Sequence, residues 1–325
     1  MILPYPVRLL CLCLATFFLV HLLLALGVAL IAPGAIRMAR RMRARWAARM
    51  MLGLRLFPLA GAGFVIAGVC VPSFLWFESE AGVEEVGTFC IAIAMMAAVS
   101  WACSTVRSLR AMIRSARYVE ECIGRGHETH LTGVTDPVWV VEDTPGCLLL
   151  AGIVRPRVLI SRTVIDALSA RQLAAALRHE RVHHDSHDNL KRLLLLLAPD
   201  VFPFVRGFEA LDREWGKFTE WAADDGAVAG DRRRSIALAT ALVRVARLNP
   251  GRPATPLAAC LVDEDSDLSA RVERLLGTAA PRDEARAATL LTSGLLMSGV
   301  SAGVVAILQP GTLQTAHRVF EQLIH

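Results

Sequence analysis

Lysine is almost missing from this chain of 325 residues: Lys191 and Lys217 are the only two, so the net charge of +5 is carried by arginine. Charged residues of all kinds are scarce as well, at 20% against 54% hydrophobic, with a mean hydropathy of +0.46. That balance excludes a disordered or acidic solvating chain and is too apolar for an ordinary soluble enzyme. Also missing is any C-x-x-C pair. The eight cysteines stand at 11, 13, 70, 90, 103, 122, 147 and 260, several of them inside apolar runs. They read as small buried hydrophobes, not as a disulfide scaffold or a thiolate metal knuckle.

What the chain has instead is long apolar stretches. A bilayer span needs about 20 mostly apolar residues, and residues 9–31, 56–77, 87–105 and 287–308 qualify. The first is too long for the core of a secretion signal, which runs to roughly 7–15 residues. His21 interrupts it and is expected to face another helix instead of relaying protons. In the fourth, closed by Pro310, Gly299 and Gly303 stand at the G-x-x-x-G spacing that permits close helix packing.

Orientation follows from the arginines. Arg37, Arg40, Arg41, Arg43, Arg45, Arg49 and Arg55 lie between the first and second stretches with no acid among them. Glu78, Glu80, Glu84 and Glu85 lie between the second and third with no base. Arg107, Arg110, Arg114 and Arg117 follow the third. The positive-inside rule then sets the N-terminus outside, residues 107–286 in the cytoplasm and a short tail, 309–325, outside again. Clusters that flank spans argue for topology, so no direct nucleic-acid partner is expected. The expected fold is a mainly α membrane protein. Three transmembrane helices occupy 1–106, an α+β domain fills 107–286, and a fourth helix covers 287–308.

The cytoplasmic stretch carries the chemistry. Residues 138–141 are β-prone and precede the turn signal Asp143-Thr144-Pro145-Gly146, while 148–150 and 158–160 suggest a hairpin. Ser169-Ala170-Arg171-Gln172 reads as a capping box opening a helix. That helix runs into His179-Glu180-Arg181-Val182-His183. Residues i and i+4 share a helical face, so both imidazoles can reach one ion, for which Zn²⁺ is suited. Glu180 would stand beside that ion, where it can take a proton from the attacking water.

A catalytic zinc usually has a third protein ligand. Glu220 fits best, in the helical-looking stretch 212–229, with Asp224 one turn later to accept the free N–H of a liganding histidine. Glu214 and Asp225 are competitors. His184 points off the metal face, His187 is expected to face solvent, and His127-Glu128-Thr129-His130 reads as a polar loop. The apolar run 193–197 and 201–204 is too short to span; it forms a core helix or dips toward the membrane and seats the site near its surface. Helices are expected over 235–248 and 268–276, with a solvated acidic loop, Asp263-Glu264-Asp265-Ser266-Asp267, before the second.

Several of these residues together resemble the BlaR/MecR family of integral-membrane zinc metallopeptidases, which is antirepressor-type and gluzincin-like. The matching features are Gly152-Ile153-Val154-Arg155-Pro156, Leu168-Ser169, the H-E-x-x-H helix, Asp188-Asn189-Leu190 and the later Glu220-x-x-x-Asp224, in that order. The plan of three spans, a zinc domain and a fourth span also matches. The resemblance implies one Zn²⁺ per chain held by His179, His183 and Glu220, with Glu180 as general base, in a bacterial cytoplasmic membrane. It implies a protein substrate, a cytoplasmic transcriptional repressor, cleaved in response to an extracytoplasmic signal. Sensor members carry a penicillin-binding domain after the last span. Only residues 309–325 follow here, without an S-x-x-K motif. The stimulus is then expected through the spans, the outer loop, a membrane sensor partner or a second copy of the chain. Arg181 and His184 also stand where small or apolar residues are usual.

An extended substrate is expected to add as a strand to a free edge near 148–151. Two other functions compete: an HtpX/CAAX-protease-like enzyme of membrane quality control or processing, and a catalytically silent signalling scaffold.

Overall fold

A computed structural model describes residues 4–77, 86–129, 137–142, 147–153, 156–200, 206–248, 259–260, 268–277 and 315. Three helices in it are long and apolar enough to cross a membrane: Tyr5–Ala39, Ala44–Phe77 and Thr88–Arg125. The first is α1, Tyr5–Ala39, which continues through Pro33. The second is built from α2 (Ala44–Val65), a π-helical stretch (Ile66–Cys70) and α3 (Val71–Phe77). The third is α4, Thr88–Arg125, which runs well past residue 105. Large apolar side chains such as Leu23, Leu30 and Phe89 point outward on these helices, 67–82% exposed, as lipid contact requires and a soluble surface does not. The chain is therefore membrane-associated. His21 is buried and stacks on Phe17, which in turn meets Trp101 of α4, so it faces its neighbours inside the helix group. The fourth apolar stretch, its glycine pair, the loop 78–85 and the acidic run 263–267 lie outside the described residues.

α4 delivers the chain directly into β1, Gly126–Thr129. A Cβ at Gly126 would stand 2.6 Å from the Val140 carbonyl oxygen, so only glycine permits this close crossing. β1 pairs antiparallel with β2 (Val138–Val141), β2 parallel with β4 (Arg157–Ser161), and β4 antiparallel with β3 (Leu148–Ala151). β3 pairs on its far side with β5, Ala259–Cys260, giving the order β1-β2-β4-β3-β5. Two expectations are corrected here. Residues 127–129 form an edge strand instead of a loop; their unbroken polarity reflects a strand that buries little. Leu148–Ala151 is no free edge, because β5 covers Leu149 and Leu150.

β2, β3 and β4 read as nearly continuous apolar runs because both faces are covered. Val141, Leu149 and Leu159 pack toward Tyr118, Val119 and Cys122 of α4. Val140, Leu148 and Ile160 pack toward the helices that follow the sheet. These are α5 (Arg162–Ala167), α6 (Ala170–Ser186), α7 (Asp188–Leu197), α8 (Arg206–Val228), α9 (Arg232–Leu248) and α10 (Leu268–Leu276). α8 begins six residues earlier than its sequence pattern indicates. α9 opens at Arg232, where Asp231 accepts from the N–H groups of Arg233 and Arg234.

α8 is the bridge between the two halves. Its Leu211, Trp215 and Phe218 share a core with Val28 and Ala32 of α1 and Met51 of α2. Its Asp212 accepts from the buried Arg55 of α2 at 3.1 Å. Arg55 also reaches Asp200 at 2.6 Å, and Asp200 takes a second arginine, Arg107 of α4, at 2.6 Å. A charge buried among apolar helices needs such partners. They tie both ends of the α7–α8 connection to the long helices.

Candidate metal centre

Local sequence fixes each side chain of the centre. Ser169 and Gln172 form the capping box that starts α6, which presents His179, Glu180 and His183, all with no exposed surface. α6 ends at His187, whose left-handed backbone (φ 56°) is a conformation that histidine tolerates better than most residues. That turn folds Asp188 back so that its Oδ2 lies 2.8 Å from His183 Nδ1. Lys191 holds the other oxygen at 2.7 Å, and Asn189 Nδ2 donates to the carbonyls of Leu150 and Gly152, pinning the turn to β3.

α8 supplies the opposite wall. It approaches α6 closely at Gly226, where a Cβ would meet Val182 Cγ2 at 2.8 Å. Glu220 and Asp224 thereby face the histidines. His179 Nε2 lies 3.4 Å from Glu220 Oε2, His183 Nε2 lies 3.5 Å from Glu220 Oε1, and the two Nε2 atoms are 3.1 Å apart. Asp224 Oδ1 stands 3.0 Å from His179 Nδ1.

This arrangement suits a cation in the middle. Each Nδ1 faces a carboxylate, so the tautomer protonated there leaves Nε2 free to bind. In that tautomer two Nε2 lone pairs and a carboxylate converge on one point. Ligands on an ion with tetrahedral bonds of about 2.0–2.1 Å stand about 3.4 Å apart, which the three observed separations match. The three residues form a buried group able to hold a metal ion.

The facing acids dominate the electrostatics. Burial would lower both imidazoles, but the facing acids outweigh it; His179 is raised, and His183 is pushed up to about 10. Burial would raise Glu220, but His183 and an arginine of α10, Arg271, hold it well below the carboxylate range. Asp224, similarly buried, is pulled down to about 2, first by Arg271 and then by His179. Glu180 differs: burial pushes it up to about 7, against the pull of the two histidines. Both its oxygens are buried with no hydrogen-bond partner among the described residues. It is a carboxyl group with nothing to bond except what enters the site.

The competing acids are engaged elsewhere. Glu214 takes Arg40 at 2.6 Å, and Asp225 takes Arg274 at 2.6 Å. His184 and His187 are exposed, and His127 lies on β1.

Arg271 belongs to the site although no sequence motif marks it. Only 1% exposed, it donates to both oxygens of Asp224 at 2.9 and 2.7 Å and lies 3.2 Å from Glu220 Oε2. A signal was present: Leu268, Arg271, Val272 and Leu275 form one helical stripe, so an arginine stands where an apolar residue is expected. Asp188, part of the Asp188-Asn189-Leu190 motif, is the partner of His183, a role that its place in the motif does not reveal.

A family model described as BlaR1 peptidase M56 matches residues 86–275, more than half of the chain and every residue of this centre. No curated protein matches the chain.

Proposed function

The chain belongs to the BlaR1 peptidase M56 family, and from that premise we propose that it is a membrane zinc metalloendopeptidase. His179, His183 and Glu220 are its metal ligands, Glu180 its general base and Asp224 the group that orients His179. The observation that carries this reading is the convergence of two imidazole Nε2 atoms and a carboxylate within 3.5 Å. Two histidines and a glutamate are a common ligand set of catalytic zinc. When bound, zinc supplies Lewis-acid polarisation of the scissile carbonyl and acidifies water toward a pKa of about 7.

The chain's own residues do the rest. Glu180, its buried oxygens unpaired among the described residues, takes a proton from the water that attacks the carbonyl carbon. It returns that proton to the amide nitrogen as the C–N bond breaks. Asp188 and Asp224 hold the imidazoles with Nε2 turned inward. Replacing Asp188 by Asn is expected to weaken zinc binding by about 10–100-fold without removing a ligand. Titration against a chelating dye checks this, and an unchanged affinity contradicts it.

The substrate in this reading is a cytoplasmic protein, most simply a repressor-type regulator. The peptidase domain and the arginine-rich flanks lie on the cytoplasmic side of a bacterial membrane, with the N-terminus outside. The support is the charge asymmetry around the first three long helices. Quantitative proteomics on cells carrying wild type or Glu180→Gln tests the substrate. A soluble regulator accumulating intact and co-purifying with the variant is expected. Recovery of misfolded membrane proteins instead would favour the HtpX/CAAX-like reading, and no difference between the strains would favour a silent scaffold.

A further inference from the structure

The first arginines of α4 stand along the helix, not around it. Cys103, Arg107, Arg110 and Arg114 recur at steps of four, three and four residues, so they form one row on one face. Against that row packs the end of α7, where Arg107 donates to the carbonyls of Leu196 and Ala198. A groove of about 610 Å³ runs along the contact. Its upper part is apolar, lined by Cys103 and Val106, and its lower part is basic, lined by Arg110 and Arg114, with Leu196 on the α7 side.

The charge in this groove is one-sided. Arg107 is committed to Asp200, which also takes Arg55. Arg110 and Arg114 are exposed and have no ion-pair partner among the described residues, and no acid lines the groove there. Like charges at i and i+4 on a helix repel, and an anion between them relieves this. A guanidinium holds phosphate by paired hydrogen bonds. The depth is right for a lipid head. The apolar stretch of α4 ends at Thr105, and at 1.5 Å per residue Arg107 and Arg110 lie about 3–8 Å beyond it, in the headgroup layer. Next to the row runs a second stripe, Val106, Leu109 and Ile113, whose apolar side chains are 41–53% exposed. An inorganic anion or an acidic peptide would satisfy the arginines and leave that hydrocarbon uncovered. A phosphate carried on acyl chains covers both, and basic pockets beside membrane helices hold such heads.

We propose that the groove between α4 and α7 binds one anionic phospholipid from the leaflet on the peptidase-domain side. Its phosphate meets Arg110 and Arg114, and an acyl chain lies along Val106 and Cys103. The site rests on α4 crossing the bilayer and not on the metal centre, so either can fail without the other.

The test titrates the full-length protein in detergent micelles with dioleoyl phosphatidylglycerol or dioleoyl phosphatidylcholine and counts bound lipid by native mass spectrometry. One phosphatidylglycerol per chain is expected to bind about tenfold more tightly than phosphatidylcholine. Arg110→Gln with Arg114→Gln is expected to remove that preference and leave phosphatidylcholine binding as it was. A misfolded protein would lose both lipids alike, so the selective loss reads the site. Arg41→Gln with Arg45→Gln takes the same charge from the other arginine-rich flank and is expected to change the affinity by less than about twofold. Equal affinity for the two lipids, an unchanged preference without Arg110 and Arg114, an equal loss in the Arg41 and Arg45 variant, or displacement of the lipid by inorganic phosphate would overturn the proposal.

Discussion

Glu180→Gln is expected to lower peptide cleavage by about 10³–10⁴-fold while the zinc content stays at one per chain. The two effects separate because Glu180 is outside the group of three converging ligands, so the amide removes a base and no ligand. The size follows from what a positioned base contributes, typically a factor of 10²–10⁴, and from the setting. Both oxygens of Glu180 are buried without partners among the described residues, so its carboxyl is free to take the proton. Steady-state cleavage of a peptide substrate together with metal analysis on the same preparation checks this. Loss of zinc in the variant would make Glu180 a ligand, and near-normal turnover would remove it from the chemistry.

The second large effect is expected at Arg271. Its guanidinium is the main counter-charge to Asp224 and one of two close to Glu220, the other being Arg192 at 3.7 Å. Arg271→Ala leaves two carboxylates of α8 facing a hole in the core. Breaking a buried pair by removing one partner costs about 3–5 kcal/mol, enough to threaten the fold of a marginally stable domain. Arg271→Lys keeps the charge but cannot form the paired contacts, and is expected to recover only part of the loss. The cost comes from a stranded charge, so adding Asp224→Asn to Arg271→Ala should give less than the sum of the single effects. Denaturant unfolding of wild type, Arg271→Ala, Asp224→Asn and the double variant in detergent decides the matter; strict additivity would show that the pair is not coupled.

Much of this was legible in the sequence because it depends on short-range pattern. The three long helices follow from apolar runs, α6 from its capping box, β2 to β4 from β-prone runs, and α10 from its stripe. The histidine pair needed only one helical turn, and Glu220 with Asp224 only one more. What escaped depends on pairing across long separations. Glu214 was a competitor of Glu220 until its contact with Arg40, 174 residues away, removed it. β5 is two residues long and gives no pattern of its own, yet it converts β3 from an edge to an inner strand. Arg271 and Asp224 are 47 positions apart; spacing rules do not reach that far.

The most direct test of the account is metal analysis of the purified full-length protein combined with X-ray absorption at the zinc edge. The account predicts one zinc per chain, bound by nitrogen and oxygen at about 2.0–2.1 Å, and its loss when His179 and His183 are both replaced by Ala. Zinc at the same level in that double variant, or sulfur ligands at about 2.3 Å, would contradict it.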